Sequence, residues 1–303
     1  MVEIIDIANP SLSAITHAGV FHADEVLGTA ILEEALGEIC LARVNDLPGG
    51  LSDNVIVYDI GGGRFDHHQP DGNGVRENGV PYASAGLLWK EYGPSIVSSS
   101  TDPEWLMTYV DRALIQGVDA ADNGVVGFDA DPNNQFSFSR MIAGFNPEWD
   151  EEKNFDDAFL EAVAFAGTVL ANVVKRGSAL LRSREIVSKA IERSEGGIMV
   201  LDEALPWKDA VAESNSPKAI DLLFVVFPSS RGGYAWQGIP DEPNSYTQRL
   251  PVPKAWWGLS GKDLQDATGV ADATFCHRTG FAGSAESLEG ALALVRRAIA
   301  QSA

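Results

Sequence analysis

Apolar positions along this chain alternate between the period of a helix and the short continuous runs of buried strands. Residues 13–16, Ser-Ala-Ile-Thr, predict a short strand running into His17. Beyond a turn at Gly19, residues 23–36 place Val26, Leu27, Ala30, Ile31 and Leu36 on one helical stripe, which Gly37 stops. Residues 39–44 predict a second strand. Residues 55–59 predict a third, whose apolar run Val55-Ile56-Val57-Tyr58 suits a strand buried on both faces of a parallel sheet. Ile60-Gly61-Gly62-Gly63 then makes a permissive turn. Helices are expected over 83–92 and 108–118, and a long helical stretch over 155–195 with a break at Gly177. After Glu195-Gly196-Gly197, residues 198–201, 222–227 and 234–239 are strand-like, 245–258 is a loop rich in Pro and Trp, and a helix over 287–300 closes the chain. The pattern describes an α/β fold: a mainly parallel open sheet over 1–150, a helical connector over 151–196 and a smaller α+β domain over 197–303. In open α/β sheets, ligands bind beyond the carboxyl ends of the strands.

A length of 303 residues is ample for two such domains, and 45% hydrophobic and 21% charged residues are ordinary for a globular chain. The charge is not ordinary: 43 acidic against 22 basic residues give a formal net charge of −21. So acidic a surface repels a phosphate backbone, which argues against a long nucleic-acid footprint. A short or small anionic substrate drawn in by bound cations stays compatible with it. Cys40 and Cys276 form no CxxC pair, which fits a reducing compartment. The first residues lack a basic, then apolar, leader, and no apolar run approaches membrane-spanning length, so a cytoplasmic protein without a membrane partner is expected.

The candidate chemistry lies in the histidines. Four of the five fall in two short Asp-bearing segments, Thr16-His17-Ala18-Gly19-Val20-Phe21-His22-Ala23-Asp24-Glu25 and Arg64-Phe65-Asp66-His67-His68-Gln69. Imidazole with carboxylate is the ligand set of a transition-metal hydrolytic site. A Gly-containing turn can aim His17, His22 and Asp24 at one spot. Asp59 ends an apolar run, where a carboxylate is costly unless paired or metal-bound. His67 and His68 face different directions if extended, so that one can bind metal while the other reaches a substrate oxygen. Asp119 and Asp122, three apart, share a helical face, and either can serve as a ligand. Asp24 and Glu25 also suit a helix start, and Asp122-Asn123-Gly124 taken alone is a turn. The triple glycine is followed by no GK[ST], so it is a turn rather than a phosphate loop. The set suffices for two metals sharing a carboxylate, with Mn²⁺ favoured over Mg²⁺, Co²⁺ or Zn²⁺.

Asp66-His67-His68 after Asp59 resembles the signature of the DHH phosphoesterase superfamily. The two histidine segments, with Ser84-Ala85-Gly86-Leu87 and Asp119-Ala120-Ala121-Asp122-Asn123-Gly124, resemble the melanocyte-proliferating-gene (Myg) family of metal-dependent hydrolases. The likeness continues through Phe145-Asn146-Pro147-Glu148-Trp149, Pro206-Trp207-Lys208, Arg249-Leu250-Pro251 and Phe275-Cys276-His277-Arg278-Thr279-Gly280-Phe281. It implies a DHH-like catalytic domain, a helical connector and a C-terminal substrate-binding domain, with a cleft between the domains. It implies two divalent metals, usually Mn²⁺, and 3′–5′ exonucleolytic hydrolysis of RNA or short oligonucleotides. Carried over by position, His17 and His22 bind one metal with Asp59 bridging. Asp24, His67 and Asp122 complete the second; Asp122 is favoured over Asp119 because Asp-Asn-Gly stands where the superfamily often has Asp-Thr-Gly. His68 touches the phosphate and Asp66 orients its neighbours. Arg249, His277, Arg278 and Gly280 are candidates for holding a substrate phosphate. The superfamily usually has an aspartate at the position of His22. The alternatives are a small-molecule phosphatase or pyrophosphatase acting on a small phosphorylated substrate, and a metal-stabilised binding protein without turnover. A homo-oligomer is compatible with any of these.

Overall fold

The computed structural model describes residues 1–125, 137–242, 245 and 247–301. The chain is a mixed α/β protein that divides into two units, Met1–Ser178 and Ala179–Ala303.

In the first unit, four strands form one parallel sheet: β1 (Val2–Ile4), β2 (Ala14–His17), β3 (Ile39–Val44) and β4 (Ile56–Val57), in the order β1-β3-β2-β4. β1 was not foreseen. β2 is central, with Ala14, Ile15 and Thr16 fully buried. The third predicted strand is shorter and less buried than its apolar run suggests. β4 is a two-residue edge strand, half-buried and paired with β2 alone, and only Tyr58 and Asp59 beyond it are fully enclosed. The chain leaves β2 through helix α1 (Ala23–Leu36) to reach β3 on one side, then crosses to β4 on the other. The order therefore reverses between β2 and β4, and the crevice at their carboxyl ends is the topological switch point where such sheets bind ligands.

Helix α2 (Ser84–Val97) packs on α1 and runs five residues past the predicted end at Tyr92. Gly93-Pro94 looks like a stop in sequence. Here Gly93 serves a close approach instead, since a Cβ on it would lie 2.8 Å from Met107 Sδ. Helix α3 (Pro103–Val110) starts where the Asp102 carboxylate accepts the Trp105 amide. It continues through one π-helical turn (Asp111–Ile115) into α4 (Gln116–Asp122). After α5 (Phe138–Ala143), helix α6 (Phe155–Glu192) runs without the expected break at Gly177. A Cβ on Gly177 would lie 2.5 Å from Leu106 Cδ1, so this glycine too serves close helix packing.

Among the described residues, α6 is the one helix long and apolar enough, by length and composition, to cross a bilayer, which the sequence expectation had not anticipated. Its buried residues Phe159, Ala162, Val163, Ala166 and Leu170 fall at i, i+3, i+4, i+7 and i+11, the stripe of a helix packed on a core.

The second unit is built on a five-stranded sheet, β5 (Ile198–Val200), β6 (Phe224–Pro228), β7 (Tyr234–Gly238), β8 (Ala273–Cys276) and β9 (Ala282–Ala285), ordered β5-β6-β7-β9-β8. β5 and β6 are parallel and the other pairs antiparallel. Phe224 and Val226 join a core with Trp236, Trp256 and Leu294, the last from the closing helix Leu288–Ala300. Val225 joins a separate cluster with Met199, Trp207 and Ile191. Both faces of β6 are thus covered, which is why its sequence is a continuous apolar run. Of the loop expected over 245–258, Tyr246 lies outside the described residues.

Candidate metal centre

β2 delivers His17 at its carboxyl end. The chain then turns at Gly19, whose φ of +81° is the left-handed conformation glycine adopts without a Cβ penalty. Phe21 is buried edge-on against Phe159 at 5.5 Å. His22 follows as the residue preceding α1, and its amide donates to Glu25 Oε1 at 2.8 Å. The first turn of α1 carries Asp24 and Glu25 inward, 1% and 0% exposed. Asp59 follows β4 with φ +57°, the one positive-φ non-glycine residue among the described residues. Such a conformation costs on the order of 1–3 kcal/mol and is most often kept where it aims a functional side chain.

These elements converge. His17 Nε2 lies 3.0 Å from Glu25 Oε1 and 3.3 Å from Asp59 Oδ2. His67 Nε2 lies 2.9 Å from Asp122 Oδ2, 3.3 Å from Asp59 Oδ1 and 3.6 Å from Asp24 Oδ2. Asp59 therefore stands between two imidazoles, and Ser84 Oγ at the start of α2 donates to its Oδ1. The sets His17/His22/Glu25, His22/Asp24/Asp122, Asp24/Glu25/Asp59 and Asp59/His67/His68 each offer ligand atoms within 4.8 Å of one another, a geometry that can hold metal ions.

The electrostatics match. Burial, then the neighbouring carboxylates Asp59, Glu25 and Asp122, push Asp24 well above the usual carboxylate range. Burial opposes ionisation of Asp59 too, but His17 and His67 outweigh it and hold that carboxyl low. Burial alone would lower both imidazoles. Asp59 and Glu25 instead push His17 up to about 10, and Asp122 and Asp59 do the same for His67. Both Asp24 oxygens and Glu25 Oε2 are enclosed without a hydrogen-bond partner. A buried polar atom left unpaired costs roughly 1–3 kcal/mol, more if charged. Asp24 and Glu25 lie with Asp59 in a set whose ligand atoms are within 4.8 Å of one another, and orphaned carboxylate oxygens so placed are donors a divalent cation would satisfy.

Asp66 is placed differently. Its Oδ2 accepts the Gly62 amide, and its Oδ1 accepts the His68 amide at 3.1 Å and lies 2.7 Å from His68 Nδ1. Burial raises its pKa, but these donors outweigh it and the carboxyl is held low. The carboxylate pins the glycine turn and holds the exposed His68 ring through Nδ1.

Asp119 and Asp122 separate cleanly. Asp122 reaches His67, whereas Asp119 points away, 2.7 Å from Arg76 Nη2 and accepting the Gly86 amide at 2.9 Å. Arg76 is also bound to Asp111 and lies over the Tyr82 ring at 4.1 Å. Asp119 belongs to no potential metal set among the described residues.

The C-terminal candidates lie in the second unit. Arg249 Nη1 donates to the carbonyls of Ala219, Ile220 and Leu222, a structural tie. His277, Arg278 and Gly280 form the turn between β8 and β9. There His277 Nδ1 is 2.8 Å from Thr279 Oγ1, Arg278 is exposed, and Gly280 has φ +71° and leaves room for the Trp257 ring.

Sequence reasoning missed Glu25 as a site residue. Its signal was present: a carboxylate three residues after the helix cap is the capping-box pattern, and here the capping carboxylate is also a site wall. Ser84 sat inside a recognised string without an assigned role. Arg43, 1% exposed by its side chain, donates to the Gly19 carbonyl and to Phe155, and no local pattern marks it.

Comparison with known proteins gives the relationship. Residues 13–299 match the MYG1_exonuc family model, described as an uncharacterised protein family (UPF0160). MYG1 protein C694.04c of Schizosaccharomyces pombe is 29% identical over 320 residues, covering 96% of this chain and 98% of the relative. MYG1 exonuclease of Homo sapiens is 28% identical, covering 94% of this chain and 85% of the relative. MYG1 protein of Chlamydia trachomatis is 33% identical, covering 92% and 95%. No solved structure matches. With the family model spanning nearly the whole chain, this protein belongs to the MYG1 family.

Proposed function

We propose that the chain is a divalent-metal-dependent hydrolase of phosphodiester bonds, acting as an exonuclease on RNA or short oligonucleotides in the 3′–5′ direction. The observation that carries this is the cluster of buried carboxylate oxygens without hydrogen-bond partners, beside His17 and His67, at the switch point of the sheet. The exonuclease names of the mouse and human relatives, and the resemblance to the DHH superfamily, supply the reaction class. His17, His22 and Glu25 would hold one ion and Asp24, His67 and Asp122 a second, with Asp59 shared. Two divalent ions in such a cage, Mn²⁺ favoured, supply a nucleophilic water at neutral pH and neutralise charge on a phosphoryl group. Asp66 holds His68 through Nδ1 in one orientation. With Nδ1–H donated to Asp66, Nε2 of the neutral ring accepts a proton, and as imidazolium it can donate to a phosphate oxygen or pass that proton to the leaving group. Ser84 keeps Asp59 from rotating out of the site.

The net charge of −21 favours a second reading, a phosphatase or pyrophosphatase for a small phosphorylated molecule, because a long polyanion is repelled. One experiment separates the two. Protein chelated and reloaded with Mn²⁺ is offered 3′-labelled and 5′-labelled oligoribonucleotides and pyrophosphate, with Asp59→Asn and His67→Ala alongside. Stepwise loss from the 3′ end, abolished in both variants, is expected. Hydrolysis of pyrophosphate alone moves the assignment to the phosphatase, and activity surviving both substitutions refutes the site. Tight Mn²⁺ binding without any cleavage leaves a metal-stabilised binding protein.

A further inference from the structure

Half of the candidate metal cage hangs on one short loop. Residues 18–21 connect His17 on β2 to His22 at the start of α1, and they include a left-handed glycine and the exposed Val20. A loop of this composition has no regular hydrogen bonding of its own to fix the separation of the two imidazoles, whose ring centroids stand 6.0 Å apart. Something outside it must hold it.

The side chain of Asn146 is placed to do so. Its Oδ1 accepts the Phe21 amide at 3.0 Å and its Nδ2 donates to the Phe21 carbonyl at 2.9 Å, so one amide group engages both backbone groups of the residue before His22. The pairing spans 125 positions of sequence. Asparagine suits it because it presents an N–H donor group and a carbonyl acceptor side by side on one planar amide; aspartate has no donor, and alanine has neither.

Asn146 is itself anchored. Phe145 packs on the Phe165 ring at 5.6 Å, and Phe21 packs on Phe159, so both partners of the pairing rest on the same stretch of α6. Arg43 adds a tie from the other side, donating to the Gly19 carbonyl at 2.8 Å with its guanidinium 4.3 Å from the Phe159 ring centroid.

We infer that Asn146 is a positioning residue that sets the separation of His17 and His22 by clamping the Phe21 peptide groups, and so sets the affinity of the site for divalent cations. This rests on the metal-dependent reading above. Asn146 touches no ligand atom of the cluster; its effect passes through the backbone. Groups that hydrogen-bond directly to metal ligands are typically worth about 10–100-fold in affinity or activity, and a clamp one residue removed is expected near the lower end of that range.

The test compares the wild-type chain with Asn146→Ala, Asn146→Asp and Val20→Ala, the last altering the same loop at a side chain that binds neither clamp. Mn²⁺ affinity is measured by calorimetry and by the free-ion EPR signal, with the melting temperature of the chelated protein recorded for each. Expected is a loss of roughly tenfold or more in Mn²⁺ affinity for Asn146→Ala. Asn146→Asp, which keeps the acceptor for the Phe21 amide, should fall between it and wild type. Val20→Ala should match wild type, and metal-free Asn146→Ala should melt a few degrees lower because two hydrogen bonds are lost, while staying folded at the temperature of the titration and losing more Mn²⁺ affinity than that shift accounts for. If Asn146→Ala binds Mn²⁺ as wild type does, the clamp is refuted while the hydrolase proposal stands. If affinity falls only in step with the metal-free melting temperature, the residue is merely structural and the inference fails. A wild-type protein that takes up no divalent cation overturns both.

Discussion

At the scale of single residues, the site is a set of charges that satisfy one another only in part. His17 and His67 are raised from the ordinary 6.5 to about 10, so the native state holds protons that the unfolded chain releases. The contribution to stability is fully present below pH 6.5 and is lost as pH rises through about 10. Asp24, also raised, acts in the same direction. The urea midpoint of chelated protein is therefore expected to fall between pH 6.5 and 10, with a shallower fall in His67→Ala. A flat wild-type profile across that window would show that the imidazoles do not share protons with these carboxylates. The separation of Asp119 from Asp122 belongs to this scale too. Both were open as ligands from their spacing alone, and three residues along a helix face proved enough to send one to Arg76 and the other to His67.

At the scale of elements, glycines set how closely the helices approach the site. Gly86 in α2 sits against the Asp119 carboxylate, where a Cβ would stand 1.9 Å from Oδ2 and 2.8 Å from Arg76 Nη2. Asp119 is fully buried, so α4 cannot simply retreat from an added methyl group. Gly86→Ala is expected to destabilise the protein by about 1–3 kcal/mol, the usual cost of overpacking, and to weaken Mn²⁺ binding through displacement of Asp122. Urea unfolding and metal titration check the two parts. Unchanged stability would mean that the Arg76–Asp119 pair relaxes freely and does not brace α4. The glycines at 93 and 177 act the same way, which explains why both helices run on where the sequence pattern expects a stop or a break.

At the scale of the whole molecule, every candidate ligand lies in Met1–Ser178, on a chain whose net charge is −21. Bound cations should stabilise the fold because they relieve buried carboxylates. At a hundredfold excess over Kd the gain is about 2.7 kcal/mol, a rise in melting temperature of roughly 5–10 °C for 150–250 residues. Calorimetry with and without Mn²⁺ measures it, and no shift under saturating metal would argue against a cage of this depth. How much of this was legible beforehand depends on the range of the interaction. The sequence alone determined what is local: the 23–36 helix, the strand leading into His17, the apolar run of β6, and the clustering of scarce histidines with aspartates that marks the chemistry. Those signals are carried by neighbours in the chain, through periodicity, capping and turn residues. Only the tertiary structure decided that 55–59 ends as an edge strand, that Glu25 is a wall of the site, that Asp119 braces rather than faces it, and that Arg43 and Asn146 hold its loop. Each of those depends on contacts between groups tens of residues or more apart, or on the direction a side chain takes once the helices are packed, and neither is encoded in the spacing of residues along the chain.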